Sequence, residues 1–196
     1  MNMQFLYVLS QLLLLAVLCT VLMGKFVKES ARLRIIIVVL LVSGYFIPVN
    51  GLTIVQWLRS VVGDLSVLML VMLINILVKR LFNFNLLNPA SRQYLLWSIV
   101  IVGILFYPFA LGLGFVDPYH FGYAPAVMGV SLMLMSMVCW FTGKRDLAVV
   151  LLLPLLAFNL QLLESSNLWD YVLDPILFAY ALVQSVTYWW SNRLIQ

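Results

Sequence analysis

The chain has 196 residues, of which 65% are hydrophobic and only 9% are charged, and its mean hydropathy is +1.10. A soluble domain is usually about half apolar and about a quarter charged, so this composition excludes an ordinary soluble domain and indicates a protein embedded in lipid. The net charge of +4 does not indicate nucleic-acid binding, because the basic residues lie between apolar segments and form no basic stripe with interleaved aromatic residues.

Seven apolar segments predict an all-α, polytopic transmembrane helix bundle, since a spanning helix needs about 20 apolar residues. Gly44 and Pro48 predict that the second helix stops or bends near its end. Trp57 and Arg59 predict a short interfacial segment over residues 51–60. The predicted spans are residues 5–24, 35–49, 61–78, 94–114, 126–142, 147–163 and 176–190.

The charged residues between these spans predict the topology. Basic residues are retained in the cytoplasm during insertion, and here they follow the first, third and fifth spans and close the chain. We therefore expect an external N-terminus, a cytoplasmic C-terminus and cytoplasmic connections at residues 25–34, 79–93 and 143–146. Lys25, Lys28, Arg32 and Arg34 form the first of these basic groups. Residues 1–196 are expected to form one transmembrane helical domain.

Two polar segments stand out on the predicted outer side, residues 115–125 and 163–175. Each contains an Asp-Pro pair, Asp117–Pro118 and Asp174–Pro175, whose carboxylate can cap the helix or turn that follows. Their aromatic side chains carry too much apolar area to leave in water. We therefore expect the two segments to be ordered and packed against each other over the outer mouth of the bundle.

Asp64 is a second unusual residue, because a carboxylate about four residues inside a span is costly unless it faces a partner or water. Arg59 lies about 140° around a continuous helix from Asp64, which argues against their direct pairing. Arg59, the only basic residue on the predicted outer side, is expected to pair with Asp117, Asp170 or Asp174, or to engage a lipid phosphate or a partner. Asp64 has either a structural hydrogen-bonding role or a binding or transport role.

Other polar groups near the outer side offer further candidates. Glu164, with Gln161 and Asn159 behind it, predicts a polar patch toward the bundle interior. His120 is the only histidine, so a two-histidine metal site is excluded, although an acid–base role beside a carboxylate is chemically possible.

No motif for a metal or a cofactor occurs, and none is expected. The chain contains neither H-E-x-x-H nor G-x-S-x-G, and no glycine-rich phosphate loop. No catalytic residue is assigned. The candidate binding residues are Arg59, Asp64, Asp117, His120, Glu164 and Asp170.

Three functions remain open. Small size, short connections and outward segments rich in Trp, Tyr and Asp favour a non-catalytic accessory or scaffold subunit of a bacterial envelope complex for glycan synthesis, secretion or respiration. The alternatives are a small transporter or channel using Asp64 and Glu164, and a membrane enzyme acting on a lipid-linked substrate at the outer leaflet. The expected partners are membrane lipids and other membrane or periplasmic subunits, and the expected location is the bacterial inner membrane.

Overall fold

The computed structural model describes residues 4–23, 31–44 and 46–193. These residues are mostly helical, which confirms the all-α prediction. Contacts divide the chain into two compact units, the first comprising Met1–Leu65 and Leu70–Leu86 and the second Ser66–Met69 and Leu87–Gln196. Lys25 and Lys28, on which the predicted topology partly rests, lie outside the described residues. The organisation as one domain stays a prediction.

In its described residues, the first unit contains three helices, most of a fourth and a hairpin of two two-residue strands. The hairpin turns at Asn50 and Gly51, whose φ angles of 53° and 83° are both positive. This is the backbone that a two-residue hairpin turn requires, and Asn-Gly is its preferred sequence. The elements are α1 Gln4–Met23, α2 Ala31–Gly44, β1 Pro48–Val49, β2 Leu52–Thr53, α3 Ile54–Val62 and α4 Val67–Phe82.

Helix α3 begins with a capping box. The Gln56 backbone N–H donates to Thr53 Oγ1 over 3.4 Å, and the Thr53 N–H donates to Gln56 Oε1 over 2.8 Å. The helix ends at Gly63, whose φ of 73° is a conformation that side-chain-bearing residues rarely adopt. The chain therefore leaves the helical path before Asp64.

The second unit is built around α5 and α9. Gly103 of α5 lies so close to α9 that a Cβ there would sit 2.2 Å from the Phe178 ring. Leu177, Ala181 and Ser185 form a fully buried stripe at helical spacing on α9. The elements are α5 Pro89–Ala110, a 3-10 helix Pro118–Tyr123, α6 Pro125–Phe141, α7 Arg145–Asn159, α8 Trp169–Val172 and α9 Pro175–Arg193.

Polar contacts tie α5 and α6 to α7. Asp146, in the first turn of α7, accepts hydrogen bonds from the Asn88 backbone N–H and from Ser91 Oγ, both 2.8 Å long. Ser136 Oγ of α6 donates to the Ala148 carbonyl of α7 over 2.8 Å. Asp146 therefore holds the start of α7 beside the start of α5.

The longer described helices follow the predicted spans in order, but several boundaries differ. The second ends at Gly44 rather than residue 49, because the hairpin occupies residues from Pro48 onward. The third starts at Val67 rather than residue 61, because Gly63 ends α3 first. The fourth starts at Pro89 rather than residue 94, since Asn88 caps it by accepting a hydrogen bond from the Ala90 N–H.

Among the described residues, one helix is both long enough and apolar enough to cross a membrane, α5 at Pro89–Ala110. Helix α2 has only 14 residues and α7 only 15. At 1.5 Å per residue such helices reach about 21–23 Å, less than the hydrocarbon thickness of about 30 Å. A single helix of this kind does not establish a seven-span bundle, because the core helix of a soluble protein can have the same length and composition.

Candidate functional site

The first polar segment, residues 115–125, folds around Asp117. Its Oδ1 accepts a 2.9 Å hydrogen bond from the Tyr119 backbone N–H, and Pro118 occupies the first position of the 3-10 helix. Proline is suited to this position because its φ is already helical and it has no N–H to satisfy. The prediction that Asp117 caps the element after it is confirmed.

The second polar segment, residues 163–175, is ordered by side chains that bond to its own backbone. Asn167 Oδ1 accepts from the Trp169 N–H over 2.9 Å, which starts the single turn of α8. The buried Tyr171 hydroxyl donates to the Leu163 carbonyl over 3.1 Å and accepts from the Leu163 N–H over 3.2 Å. Asparagine and buried tyrosine commonly hold loops in this way.

Four hydrogen bonds join the two segments. The Leu168 N–H donates to the Gly122 carbonyl over 3.0 Å. Tyr119 bonds through its carbonyl to Asn167 Nδ2 over 2.9 Å and through its hydroxyl to Asp170 over 3.0 Å. Trp169 Nε1 donates to the Pro118 carbonyl over 2.9 Å. The two segments therefore pack against each other as predicted, and together we call them the cap.

The cap rests on α5 through aromatic contacts. The Phe106 ring lies 4.5 Å from that of Trp169 and 6.4 Å from that of Tyr119, between ring centroids. Gly122 allows the segments to approach, because a Cβ there would lie 1.7 Å from Asn167 Oδ1. Asn167 is 0% exposed and both ends of its amide are hydrogen-bonded, so moving it aside would break those bonds.

Tyr119, Ser165 and Asp170 form the most closely hydrogen-bonded cluster of the cap. Asp170 accepts hydrogen bonds from the Tyr119 hydroxyl and from Ser165 Oγ. Burial, followed by the hydrogen bond to Asp170, raises the pKa of Tyr119 above its ordinary value of 10.0. Tyr119 is therefore held as a neutral donor, and Asp170 acts as an acceptor that fixes two other side chains.

Asp174 is the buried carboxylate of the cap, with 6% of its surface exposed. Its Oδ1 accepts from the Leu177 N–H over 2.8 Å, which confirms the predicted N-cap of α9. Its Oδ2 accepts from the Ser66 N–H over 2.9 Å. This second bond was not predicted, and no local signal in the sequence indicates it.

Other candidate polar residues differ from expectation. Glu164, Gln161 and Asn159 are exposed, so the prediction of a polar patch facing the bundle interior is wrong. Helix α7 ends at Asn159 and Gln161 has a positive φ of 49°, so the three residues do not share one helix face. His120, in the last turn of the 3-10 helix, is also exposed.

Three aromatic side chains of the cap are exposed rather than buried. Phe115 is fully exposed, and about half of the surface of Phe121 and Tyr123 is exposed. The packing of the two segments against each other does not cover these rings. The contact between the segments is made by backbone groups and by Tyr119, Asn167 and Trp169, which leaves these rings on the outside.

Arg59 and Asp64 of the first unit form an ion pair. Arg59 Nε lies 3.0 Å from Asp64 Oδ1 and Nη2 lies 3.1 Å from Oδ2. The prediction that they would not pair is wrong, as is the placement of Asp64 within the third predicted helix, because α3 ends at Val62 and α4 begins only at Val67. Gly63 turns the chain out of the helix between them, so the angle for a continuous helix does not apply.

The surroundings of this pair hold it in place. The Arg59 guanidinium lies 4.2 Å from the centroid of the Tyr7 ring. Gln11 Nε2 donates to the Gly63 carbonyl over 2.9 Å. The two side chains are 29% and 28% exposed, so the pair is partly shielded from solvent.

Within the described residues, no three His, Cys, Asp or Glu side chains come together to form a candidate metal site. Comparison with protein-family models, curated proteins and solved structures gives no match.

Proposed function

We propose that this chain is a multi-pass protein of the bacterial inner membrane, with about seven spans. Support comes from the exposed side chains of the helices. On α6 these include Val130, Leu134, Met137 and Val138, and on α5 Ile101, Ile104 and Leu105. Contiguous apolar surface of this extent is unusual on a soluble monomer and is expected on a surface that faces lipid.

The charges of the second unit support the proposed orientation. At the start of α5, Lys144 lies 4.4 Å from the Tyr94 ring and Asp146 bonds to Asn88. Near the other end of α5, Phe106 contacts the cap, which holds Asp117, Asp170 and Asp174. Cations at one end and carboxylates at the other are the pattern expected for a cytoplasmic start of α5 and an external cap.

For its biochemical role, we propose a non-catalytic accessory or scaffold subunit of an envelope complex. The observation that carries this proposal is that the carboxylates of the cap bond within the fold while several of its aromatic side chains are exposed. Asp170 and Asp174 serve as acceptors inside the fold, whereas Phe115, Phe121 and Tyr123 present aromatic surface outward. Exposed aromatic residues on an ordered support are typical of protein-contact surfaces.

The test is quantitative affinity purification from membranes in mild detergent. We expect a Phe115→Ser/Phe121→Ser variant to lose a co-purifying membrane or periplasmic protein that the wild type retains. Phe141→Ser is the matched control, because Phe141 is equally an exposed phenylalanine but lies at the end of α6 away from the cap. Its partner should remain bound.

Two results would contradict the proposal. One is identical partner recovery from the cap variant and the control, with both melting like the wild type. The other is an Asp170→Asn protein that keeps its partners but loses a measurable activity of the assembly. That second result would favour the membrane-enzyme alternative.

A further inference from the structure

The four basic residues of the second unit share one arrangement, in which each cation lies near an aromatic ring. Such contacts orient a cation while leaving its N–H groups able to bind an anion. The distances to the ring centroids are 4.0 Å for Arg193 and Trp189, 4.4 Å for Lys144 and Tyr94, 5.4 Å for Arg145 and Trp140, and 6.0 Å for Arg92 and Tyr180. We call these four pairs the basic–aromatic rim.

The rim lies at the end of the second unit opposite the cap. Lys144 is placed beside the start of α5 by its contact with Tyr94. Arg92 joins the start of α5 to the middle of α9 through Gln184, so the last turn of α9, which carries Arg193, extends toward the same end. Four cations are therefore gathered at one end of the unit.

Little negative charge offsets these cations. Asp146 is the carboxylate at this end of the described second unit, and its two oxygens already accept hydrogen bonds from Asn88 and Ser91. Arg92 Nη2 donates to the Tyr180 hydroxyl over 2.7 Å and to Gln184 Oε1 over 2.9 Å, and both acceptors are neutral. The rim consequently keeps a net positive charge.

We propose that the basic–aromatic rim binds the phosphate groups of anionic phospholipids in the cytoplasmic leaflet. This inference rests on the proposed membrane placement but not on the proposed partner at the cap. Basic side chains near an anionic leaflet are attracted to it, and aromatic rings settle at the level of the headgroups. The rim supplies both features on the same residues.

The experiment is a titration of the detergent-solubilised full chain with short-chain phosphatidylglycerol, compared with phosphatidylcholine of the same chain length. Trp140 and Trp189, two of the six tryptophans, lie beside Arg145 and Arg193, so the part of the fluorescence change that is lost in Trp140→Phe/Trp189→Phe reports on the rim. We expect tighter binding of the anionic lipid. Lys144→Gln/Arg145→Gln should weaken it about 25-fold, the effect of removing two such charges.

The matched control is Lys144→Arg/Arg145→Lys, which keeps both charges and should bind like the wild type. Neither side chain caps α7 by a hydrogen bond, so the neutral variant should fold. If it does not fold, Arg193→Gln serves as a second variant, with an expected loss of about fivefold.

Equal affinity for the two lipids, or unchanged affinity in a folded neutral variant, would overturn the proposal. Inorganic phosphate that binds as tightly as phosphatidylglycerol would overturn the assignment to a lipid. Failure of the cap experiment alone would leave this inference intact, whereas lipid binding without charge selectivity would leave the cap proposal intact.

Discussion

Asp174 Oδ2 accepts a hydrogen bond from the backbone N–H of Ser66, a residue 108 positions earlier in the chain. Ser66 itself starts α4, since its Oγ accepts from the Met69 N–H over 3.2 Å. With Oδ1, Asp174 caps α9 through Leu177. One buried carboxylate thus joins the starts of two helices.

Asp174→Ala should lower the free energy of unfolding by about 3 kcal/mol, because it removes a helix cap and leaves the buried Ser66 N–H without its acceptor. Asp174→Asn keeps one oxygen acceptor and should lose less. Asp117→Ala, which removes an exposed cap, should cost about 1 kcal/mol or less. Thermal and denaturant unfolding in detergent measure the three values, and equal losses for Asp174→Ala and Asp117→Ala would contradict this account.

Gly122→Ala should open the cap, because its Cβ would overlap the buried Asn167 side chain at 1.7 Å. We expect a loss of about 1–3 kcal/mol, the range for overpacking in a close-packed site. Gly129→Ala is the control, since the nearest atom to its Cβ is Leu155 Cδ2 at 3.4 Å. It should be neutral or stabilising by up to about 1 kcal/mol through higher helix propensity. Limited proteolysis within residues 115–125 should accelerate only in Gly122→Ala.

Arg59 and Asp64 should show energetic coupling in a double-mutant cycle. The variants Arg59→Gln, Asp64→Asn and their combination should give a coupling energy of about 1 kcal/mol, because the pair is bidentate but partly exposed. The coupling should shrink at high salt. A coupling energy indistinguishable from zero at low salt would remove the basis for a structural role of this pair.

The stability of the cap should decrease in alkaline solution through Tyr119. Since burial and the bond to Asp170 raise the pKa of Tyr119 above 10.0, the native state binds this proton more tightly than the unfolded state does. Its contribution is therefore fully present below about pH 10 and is lost as the pH rises toward the native pKa. In Tyr119→Phe, stability should be lower at neutral pH and should fall less steeply above about pH 10. Parallel pH profiles for the two proteins would show that Tyr119 is not responsible.

Reporter fusions test the proposed topology. A fusion at residue 86, between α4 and α5, should be cytoplasmic, and one at residue 116 should be external, because basic residues flank the first site and the cap surrounds the second. Lys144→Gln/Arg145→Gln should leave both readings unchanged, because Lys79, Arg80 and Arg92 still flank the first site. An external reporter at residue 86 would overturn the orientation and the inner-leaflet placement of the rim.

Local features of the sequence were sufficient for several predictions. Apolar runs predicted the positions of the longer helices, and the two Asp-Pro pairs predicted the caps at Asp117 and Asp174. These features are encoded within a few residues, because a cap bonds to an N–H two or three positions ahead. The aromatic content of residues 115–125 and 163–175 also predicted that these segments would pack together.

The pairing of Arg59 with Asp64 depends on the backbone conformation of Gly63, which a continuous helix through residue 64 does not contain. Gly63 and the Asn50–Gly51 turn were the available signals, since glycine marks positions where a positive φ ends a helix or closes a hairpin. If the helix ends at Gly63, Asp64 lies outside it, and the angle of about 140° between Arg59 and Asp64 on a continuous helix no longer applies.

By itself, the sequence determined the helical class, the positions of the apolar segments and the local caps, because those depend on periodicity and on hydrogen bonds between neighbours in the chain. Only the tertiary structure decided that Asp174 also bonds to Ser66, that Asn167 donates a hydrogen bond to the Tyr119 carbonyl and that the Phe115 side chain is exposed. These outcomes depend on tertiary packing, which decides which groups, distant in the chain, come within about 3 Å of each other. No local pattern encodes that choice, since the same side chain can satisfy its hydrogen bonds with many partners.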